Sequence, residues 1–348
     1  MSNEATKVVV GVVPRERWSL SVPSLTSLLP TLAPDMELVY VDGGSPDRIA
    51  TELRDLVEAH GGRYLRYYHV LACSEARNII VAQTDSEYVV FAENDVSFRP
   101  GWIEALVACA DETGAGAVQP LVLMGSDDDT ELIHIGYGQI EINDGVLDTN
   151  LHEHEWDVLS EVPEQTRRPT GQMEFHAFLT RRAMLDEIGP FDERIRSIAD
   201  HEDLVLTARE AGWEFFYEPA SEVVFLQFAH LTAEDRGFWQ LHWSEEWIEQ
   251  SIDHFARKWS VRTDVGWPEE ARRWSSQRRT MWYIGTPAPL AFVGKVFRKL
   301  LFHPHLTALV RGPEYRLMAR PGQREDRRRR AALAGDTMPS PTTSTAGA

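Results

Sequence analysis

Three polar clusters in the first hundred residues each follow an apolar run. Pro14-Arg15-Glu16 follows residues 7–13, Asp42-Gly43-Gly44-Ser45 follows residues 37–41, and Glu93-Asn94-Asp95 follows residues 88–91. In an open α/β sheet, ligands bind beyond the carboxyl ends of the strands, so acids delivered to one edge suit a nucleotide and a metal held there. A pyrophosphate needs a divalent cation with hard oxygen ligands, and an Asp leaving a strand in a rigid turn supplies one. On patterning alone, Asp95 reads either as such a ligand or as a cap for the helical stretch opened by Pro100. Asp42 reads either as a ligand contact or as a turn residue. A further acidic pair, Glu202-Asp203, follows Ala199-Asp200-His201 at the start of a helical stretch. It suits a general base, or only the helix dipole. His176, in an apolar strand context, reads as a packed core or acceptor-site residue in preference to a metal ligand.

The elements that position these groups alternate. Residues 7–13 (KVVVGVV), 37–41 and 88–91 are short, almost wholly apolar runs, as expected of strands buried on both faces of a parallel sheet. Between them, Ser45 and Pro46 open a helix in which Ile49, Leu53, Leu56 and Val57 fall at helical spacing, and Gly61-Gly62 stops it. Residues 63–70 read as a strand, 74–83 as a helix and 115–123 as another strand. The series is β-α-β-α, a parallel sheet covered by helices.

After Gly125 the texture changes. Asp127-Asp128-Asp129 reads as a solvated turn, and 132–142 as hairpin or loop. The polar stretch 151–170 suits a flap, 171–180 is apolar again, and 199–211 reads as a helix stopped by Gly212. Residues 213–217 and 222–228 are strand candidates. The aromatic crowd from Phe238 to Trp259 suits core packing or a sugar subsite.

The chain has 348 residues, 43% of them hydrophobic, enough for one large domain with a small extension. No run approaches the eighteen or so apolar residues of a bilayer-spanning helix. The polar start, residues 1–7, lacks the pattern of a secretory leader. Cys73 and Cys109 lack metal-ligand spacing, so a reduced, cytoplasmic setting is expected. The net charge of −19 divides unevenly: residues 266–348 carry 15 Lys+Arg against 6 Asp+Glu, a balance of +9, which leaves −28 on the remainder. An acidic body argues against nucleic acid as a partner.

The order of motifs resembles the family 2 glycosyltransferases. It comprises an apolar first strand; the V-D-x-x-S-x-D loop Val41-Asp42-Gly43-Gly44-Ser45-Pro46-Asp47; Ala76-Arg77-Asn78; and the acidic triplet Glu93-Asn94-Asp95, trailed by Arg99-Pro100-Gly101-Trp102. Gly189-Pro190-Phe191-Asp192-Glu193 and then Glu202-Asp203-Leu204 complete it. The resemblance covers about residues 8–228. It implies an α/β chain of the GT-A, or nucleotide-diphospho-sugar transferase, fold, with a mostly parallel central sheet flanked by helices and a C-terminal helical extension. The catalytic domain would span 1–265, a basic, partly amphipathic helical extension 266–335, and a disordered tail 336–348.

The resemblance also implies roles. Asp42 would contact the donor's base, Arg77 would lie near the nucleotide beside Asn78, and Glu93, Asn94 and Asp95 would line the diphosphate. Asp95 would hold a divalent cation, Mn2+ or Mg2+, with His230 completing the metal site. Asp203, or else Glu202, would be the general base. The triplet begins with Glu rather than Asp, which puts the metal on Asp95, and His230 lies beyond the usual short spacing after the last strand. The Q-x-x-R-W motif of processive synthases is missing, Gln240-Leu241-His242-Trp243 lacking its arginine, so a single sugar is expected to pass with inversion to an acceptor hydroxyl. The partners expected are a nucleotide-diphosphate sugar and a glycan, lipid-linked or small-molecule acceptor. The rival readings are a nucleotidyltransferase, whose glycine-rich basic loop is absent here, and a degenerate transferase kept as a nucleotide-sugar binding or scaffold protein. Residues 287–330 combine apolar positions at helical spacing with Lys295, Arg298 and Lys299. They suit either contact with the inner face of a membrane or packing on the acidic body.

Overall fold

The computed structural model describes residues 7–126, 129–149, 153–227 and 231–280, together with Arg327 and Thr342–Thr343. In chain order the first half contains β1 (Val8–Val13), α1 (Ser21–Leu28), β2 (Glu37–Gly43), α2 (Asp47–Ala59), β3 (Arg63–Tyr67), α3 (Cys73–Ala82), β4 (Tyr88–Glu93), β5 (Val96–Phe98), α4 (Trp102–Thr113) and β6 (Ala117–Ser126). There follow β7 (Asp129–Ile135), β8 (Glu141–Asn143), β9 (Val146–Asp148), β10 (Arg168–Thr170), β11 (Ala177–Arg181), α5 (Arg182–Ile188) and α6 (Asp200–Glu210). Last come β12 (Phe215–Phe225), α7 (Arg236–His242), α8 (Glu245–Trp259), α9 (Trp267–Thr280) and β13 (Thr342–Thr343).

The apolar runs are two-faced. Val8, Val10 and Val12 of β1 enter one hydrophobic cluster with Leu25, Leu53, Trp102 and Leu106, while Val9 and Val13 enter a second with Ala76, Ile80, Leu204 and Phe255. β2 and β4 split the same way, Leu38 and Val90 to one face, Val39 and Val89 to the other. That is the period of two of a strand covered by helices on both sides. Gly11 sets how closely α3 approaches: a Cβ there would stand 2.6 Å from Ile80 side-chain atoms.

The main sheet runs β10-β12-β6-β11-β4-β1-β2-β3-β13. β3, β2, β1 and β4 are parallel, β11 is antiparallel to both β4 and β6, and β12 is again parallel to β6. Chain order moves outward from β1 to β3 and then returns to place β4 on β1's other side. The carboxyl ends of β1, β2 and β4 therefore border a topological switch point, where such sheets bind ligands.

Several expectations change. The two strand candidates at 213–228 form one long strand, β12, with a register shift between Glu218 and Glu222. The stretch expected as a flap is tied down in its described part. Trp156 N donates to Ile133 O at 2.8 Å, Ile133 N to Asp157 O at 3.0 Å, and β10 pairs with β12. The tryptophans resolve as packing: Trp239, Trp243 and Trp247 of α7 and α8 are fully buried. Asp127 and Asp128 lie outside the described residues, as does most of 287–330. Within that segment Arg327 Nε stands 3.8 Å from Glu246 Oε1 of α8. In the tail expected to be disordered, Thr342–Thr343 pair with β3. No helix of the described residues is long and apolar enough to cross a membrane.

Candidate functional site

Glu93 is the last residue of β4, registered against Val13 of β1, and its backbone N–H donates to His176 O at 2.9 Å. Its side chain is fully buried and encircled by cations. Arg15 Nη1 donates to Oε1 at 2.8 Å, Arg77 Nη2 to the same oxygen at 3.0 Å, and His176 Nδ1 hydrogen-bonds Oε2 at 2.9 Å. Burial alone would raise the Glu93 pKa, but Arg15, His176 and Arg77 together hold it well below the usual carboxylate range. The neighbouring Asp95 is the opposite case. It is fully buried, and neither Oδ1 nor Oδ2 has a hydrogen-bond partner among the described residues. Burial, and then the charge of Glu93, push its pKa up.

A buried carboxylate with both oxygens unmatched costs free energy until a cation or proton arrives. Ligand atoms of Glu93, Asp95 and His176 lie within 4.8 Å of one another. Carboxylate oxygens are ordinary ligands for Mn2+ or Mg2+, so the residues present fit a divalent cation centred on Asp95. His230, the expected histidine ligand, lies outside the described residues. His176, read from sequence as a core or acceptor-site residue, is the histidine found beside the carboxylates, stacked on Phe225 at 3.9 Å.

The remaining motif residues are struts. Asn94 Oδ1 accepts from Arg15 N at 2.7 Å, and its Nδ2 donates to Arg17 O and Ser21 Oγ, fixing the loop after β1. Arg77, expected near the nucleotide, is fully buried. It spans from Glu93 to Asp200 Oδ2 at 2.7 Å and stacks on Phe175 at 4.4 Å. Asn78 clasps the Gly189–Glu193 turn through Phe191 O, Phe191 N and Glu193 Oε1. The Asp42 carboxylate accepts from Ser45 N and Ser45 Oγ at 2.9 Å and from Tyr64 OH at 2.6 Å, so it shapes the turn after β2. In each of these four the polar side chain is engaged by other groups of the protein.

Beside the acidic triplet lies a cavity of ≈330 Å³, lined among others by Arg15, Glu174, Asp200, His201, Glu202 and Trp274. Ala199 takes φ 75°, a left-handed conformation uncommon for a residue with a Cβ, and turns the start of α6 towards this cavity. His201 sits between two carboxylates, Nδ1 3.7 Å from Glu174 Oε2 and Nε2 3.6 Å from Asp200 Oδ1. Burial would raise Glu174, yet His201, His176 and His134 bring it down to about 2. Glu202 is raised from 4.5 to about 7, chiefly by burial. Asp203, the first choice for base, does not line this cavity. It borders a separate groove with Asn78 and Phe191, and accepts from Trp259 Nε1 at 2.7 Å and Lys258 Nζ at 2.8 Å. Of the two carboxylates, Glu202 is the one that lines the cavity beside the triplet.

A sheet that switches direction at β1, with an acidic triplet after β4 and a cavity beside it, is the arrangement of the GT-A fold. Residues 15–189, about half of the chain, match the family described as Glycosyl transferase family 2, and the chain belongs to that family of glycosyltransferases. Over 156 residues it is 30% identical to the N-acetylglucosaminyl-diphospho-decaprenol L-rhamnosyltransferase of Mycobacterium tuberculosis, covering 43% of this chain and 50% of that protein. Over 189 residues it is 25% identical to the pre-mycofactocin glycosyltransferase of the same organism, covering 54% of this chain and 37% of that one. The chain thus spans half or less of the curated relatives it matches. A crystal structure of GalNAc-T7 with UDP, GalNAc and Mn2+ shares the fold, with a TM-score of 0.51 at 15% identity, covering 81% of this chain and 56% of that one.

Proposed function

We propose that the protein transfers one sugar, with inversion, from a nucleotide-diphosphate sugar to an acceptor hydroxyl, assisted by a divalent cation. The observation that carries this reading is Asp95, a fully buried carboxylate just past the carboxyl end of β4 that has no hydrogen-bond partner among the described residues. Asp95 is the principal ligand of the cation, with Glu93 and His176 within reach of it. A cation bound there would neutralise the charge that builds on the leaving diphosphate.

The protein's own groups supply the rest. Arg77 ties the metal-side carboxylate Glu93 to Asp200 at the start of α6, so the two halves of the site keep a fixed separation. Glu202, lining the cavity with a pKa of about 7, takes the proton from the acceptor hydroxyl as that oxygen attacks the anomeric carbon. A single displacement of this kind inverts configuration. Trp267 and Trp274 on the cavity wall offer apolar faces to an acceptor sugar. The acceptor class proposed is a glycan, lipid-linked sugar or small molecule. The named substrate of the mycobacterial rhamnosyltransferase, a lipid-linked N-acetylglucosamine, falls in that class.

The test is a thermal-shift and hydrolysis screen of UDP-, GDP- and dTDP-sugars with and without Mn2+. One donor should raise the melting temperature only in the presence of metal and be slowly hydrolysed. Binding equal with and without metal removes the metal-assisted reading. Tight metal-dependent binding with neither hydrolysis nor transfer favours a binding module instead.

A further inference from the structure

Helix α9 begins beyond the segment that matches the family, yet it sets an arginine against Glu16 of the loop after β1. Arg278 is 7% exposed. Among the described residues its one ion pair is with Glu16 Oε1, at 3.6 Å, too long for a good hydrogen bond. Its guanidinium otherwise lies against the rings of Trp243 and Trp274, 5.5 and 5.0 Å from their centroids. A guanidinium carries five donors in a fixed fork, and one this buried normally spends them on acceptors. Glu16, in the loop after β1, is 1% exposed with Oε2 unpartnered, and the charge on Asp95 is felt at Arg278. The two neighbouring buried arginines of that loop are already committed, Arg15 to Glu93 and Arg17 to the carbonyls of Leu226 and Gln227.

The Arg278 position is also built. Trp239 Nε1 donates to Arg278 O at 3.0 Å, and Trp239 is itself fully buried under Arg17, whose guanidinium stands 5.1 Å from the ring. A preorganised fork with unfilled donors, beside a loop that borders the switch point, matches the geometry and charge of a phosphate.

We propose that Arg278 binds the diphosphate of the donor, leaving its loose pairing with Glu16 to do so. Helix α9 then belongs to the donor site, and Glu16 competes with the ligand for the same guanidinium. The inference rests on the nucleotide-sugar reading above.

Calorimetry on the full chain with Mn2+ tests it, using pyrophosphate, UDP, GDP and dTDP as probes. Arg278→Gln should raise Kd for pyrophosphate and for the preferred nucleoside diphosphate alike by about tenfold to a hundredfold, the range of a charge-assisted hydrogen bond. Arg278→Lys, which keeps the charge and loses the fork, should recover part of the loss. Glu16→Gln should tighten binding several-fold, a gain that a purely structural arginine would not produce. Arg273→Gln, at a side chain 69% exposed, is the control and should bind as wild type.

An unchanged Kd in Arg278→Gln with a lowered melting temperature makes Arg278 a strut and overturns the proposal. A loss confined to the nucleosides, with pyrophosphate unaffected, moves the contact to base or ribose and also overturns it. If Arg278→Gln does not fold, Glu16→Gln decides, and wild-type or weaker affinity there refutes the competition. Wild-type protein that binds none of the four probes with metal refutes the donor reading itself, a result separate from any of these.

Discussion

Glu202→Gln separates a catalytic carboxylate from a structural one, because the burial that tunes its pKa also taxes the fold. The group rises from 4.5 to about 7 in the folded protein, chiefly through burial. A rise of this size is worth about 3 kcal/mol. The folded state holds this proton more tightly than the unfolded chain, so stability is lost as pH rises from the unfolded pKa to the folded one. At pH 5 little of the penalty applies; at pH 8 nearly all of it does. Glutamine keeps the shape and carries no charge. Urea unfolding should therefore show Glu202→Gln more stable than wild type at pH 8, with an advantage larger by about 2–3 kcal/mol than the one at pH 5. Turnover should fall about a hundredfold or more, the range of a lost general base. In wild type with saturating metal, kcat should decline on the acid side around pH 7. A stability difference that is the same at both pH values would refute the burial argument. An acid limb below pH 5 would remove Glu202 as the base.

Asp95→Ala should abolish the metal dependence of nucleoside-diphosphate binding in calorimetry while the protein remains folded, since no hydrogen bond to its carboxylate is lost; wild-type affinity with Mn2+ would contradict this. Asp203→Asn should lower stability by about 1–3 kcal/mol through its contacts with Lys258 and Trp259, and leave turnover within a few-fold. A hundredfold loss of turnover at unchanged melting temperature would restore Asp203 as the base. Ala199→Gly should raise stability by about 1 kcal/mol, because glycine takes the φ of 75° without the Cβ conflict; an unchanged melting temperature would show that the gain is lost to the added flexibility of the unfolded chain.

The sheet was legible because its signal is local. The apolar runs VVVGVV in β1 and YVVFA in β4 read as strands covered on both faces, and an acid following such a strand lands at the edge where ligands bind. The division of labour among polar motif residues was not legible. Arg77 and Asn94 sit in motifs that flank the donor, and their spacing is the same whether they face a nucleotide or other protein groups. Their partners, Asp200 and the Arg17 carbonyl, lie 123 and 77 residues away. His176 escaped for a related reason. It is one of two polar residues, with Glu174, spaced two apart among phenylalanines, a pattern that puts both on one side of an extended chain. That spacing was the available signal, and the apolar surroundings argued for core instead.

The placing of Glu202 and Asp203 follows from how α6 is packed. Successive residues on an α-helix point about 100° apart, so the two carboxylates leave it in different directions, and Glu202 lines the cavity with Asp200 and His201 while Asp203 does not. Which one enters is set by what covers the other side of α6. Here that cover is α8, which brings Lys258 and Trp259 onto Asp203 and so turns Glu202 towards the cavity it shares with His201 and Glu174. The same packing pairs Asp203 with Lys258 and Trp259, while Glu202 is buried with a pKa near the working range of a base. A buried carboxyl lifted to about 7 on the wall of the cavity suits the general base proposed above, which needs only the acceptor hydroxyl beside it.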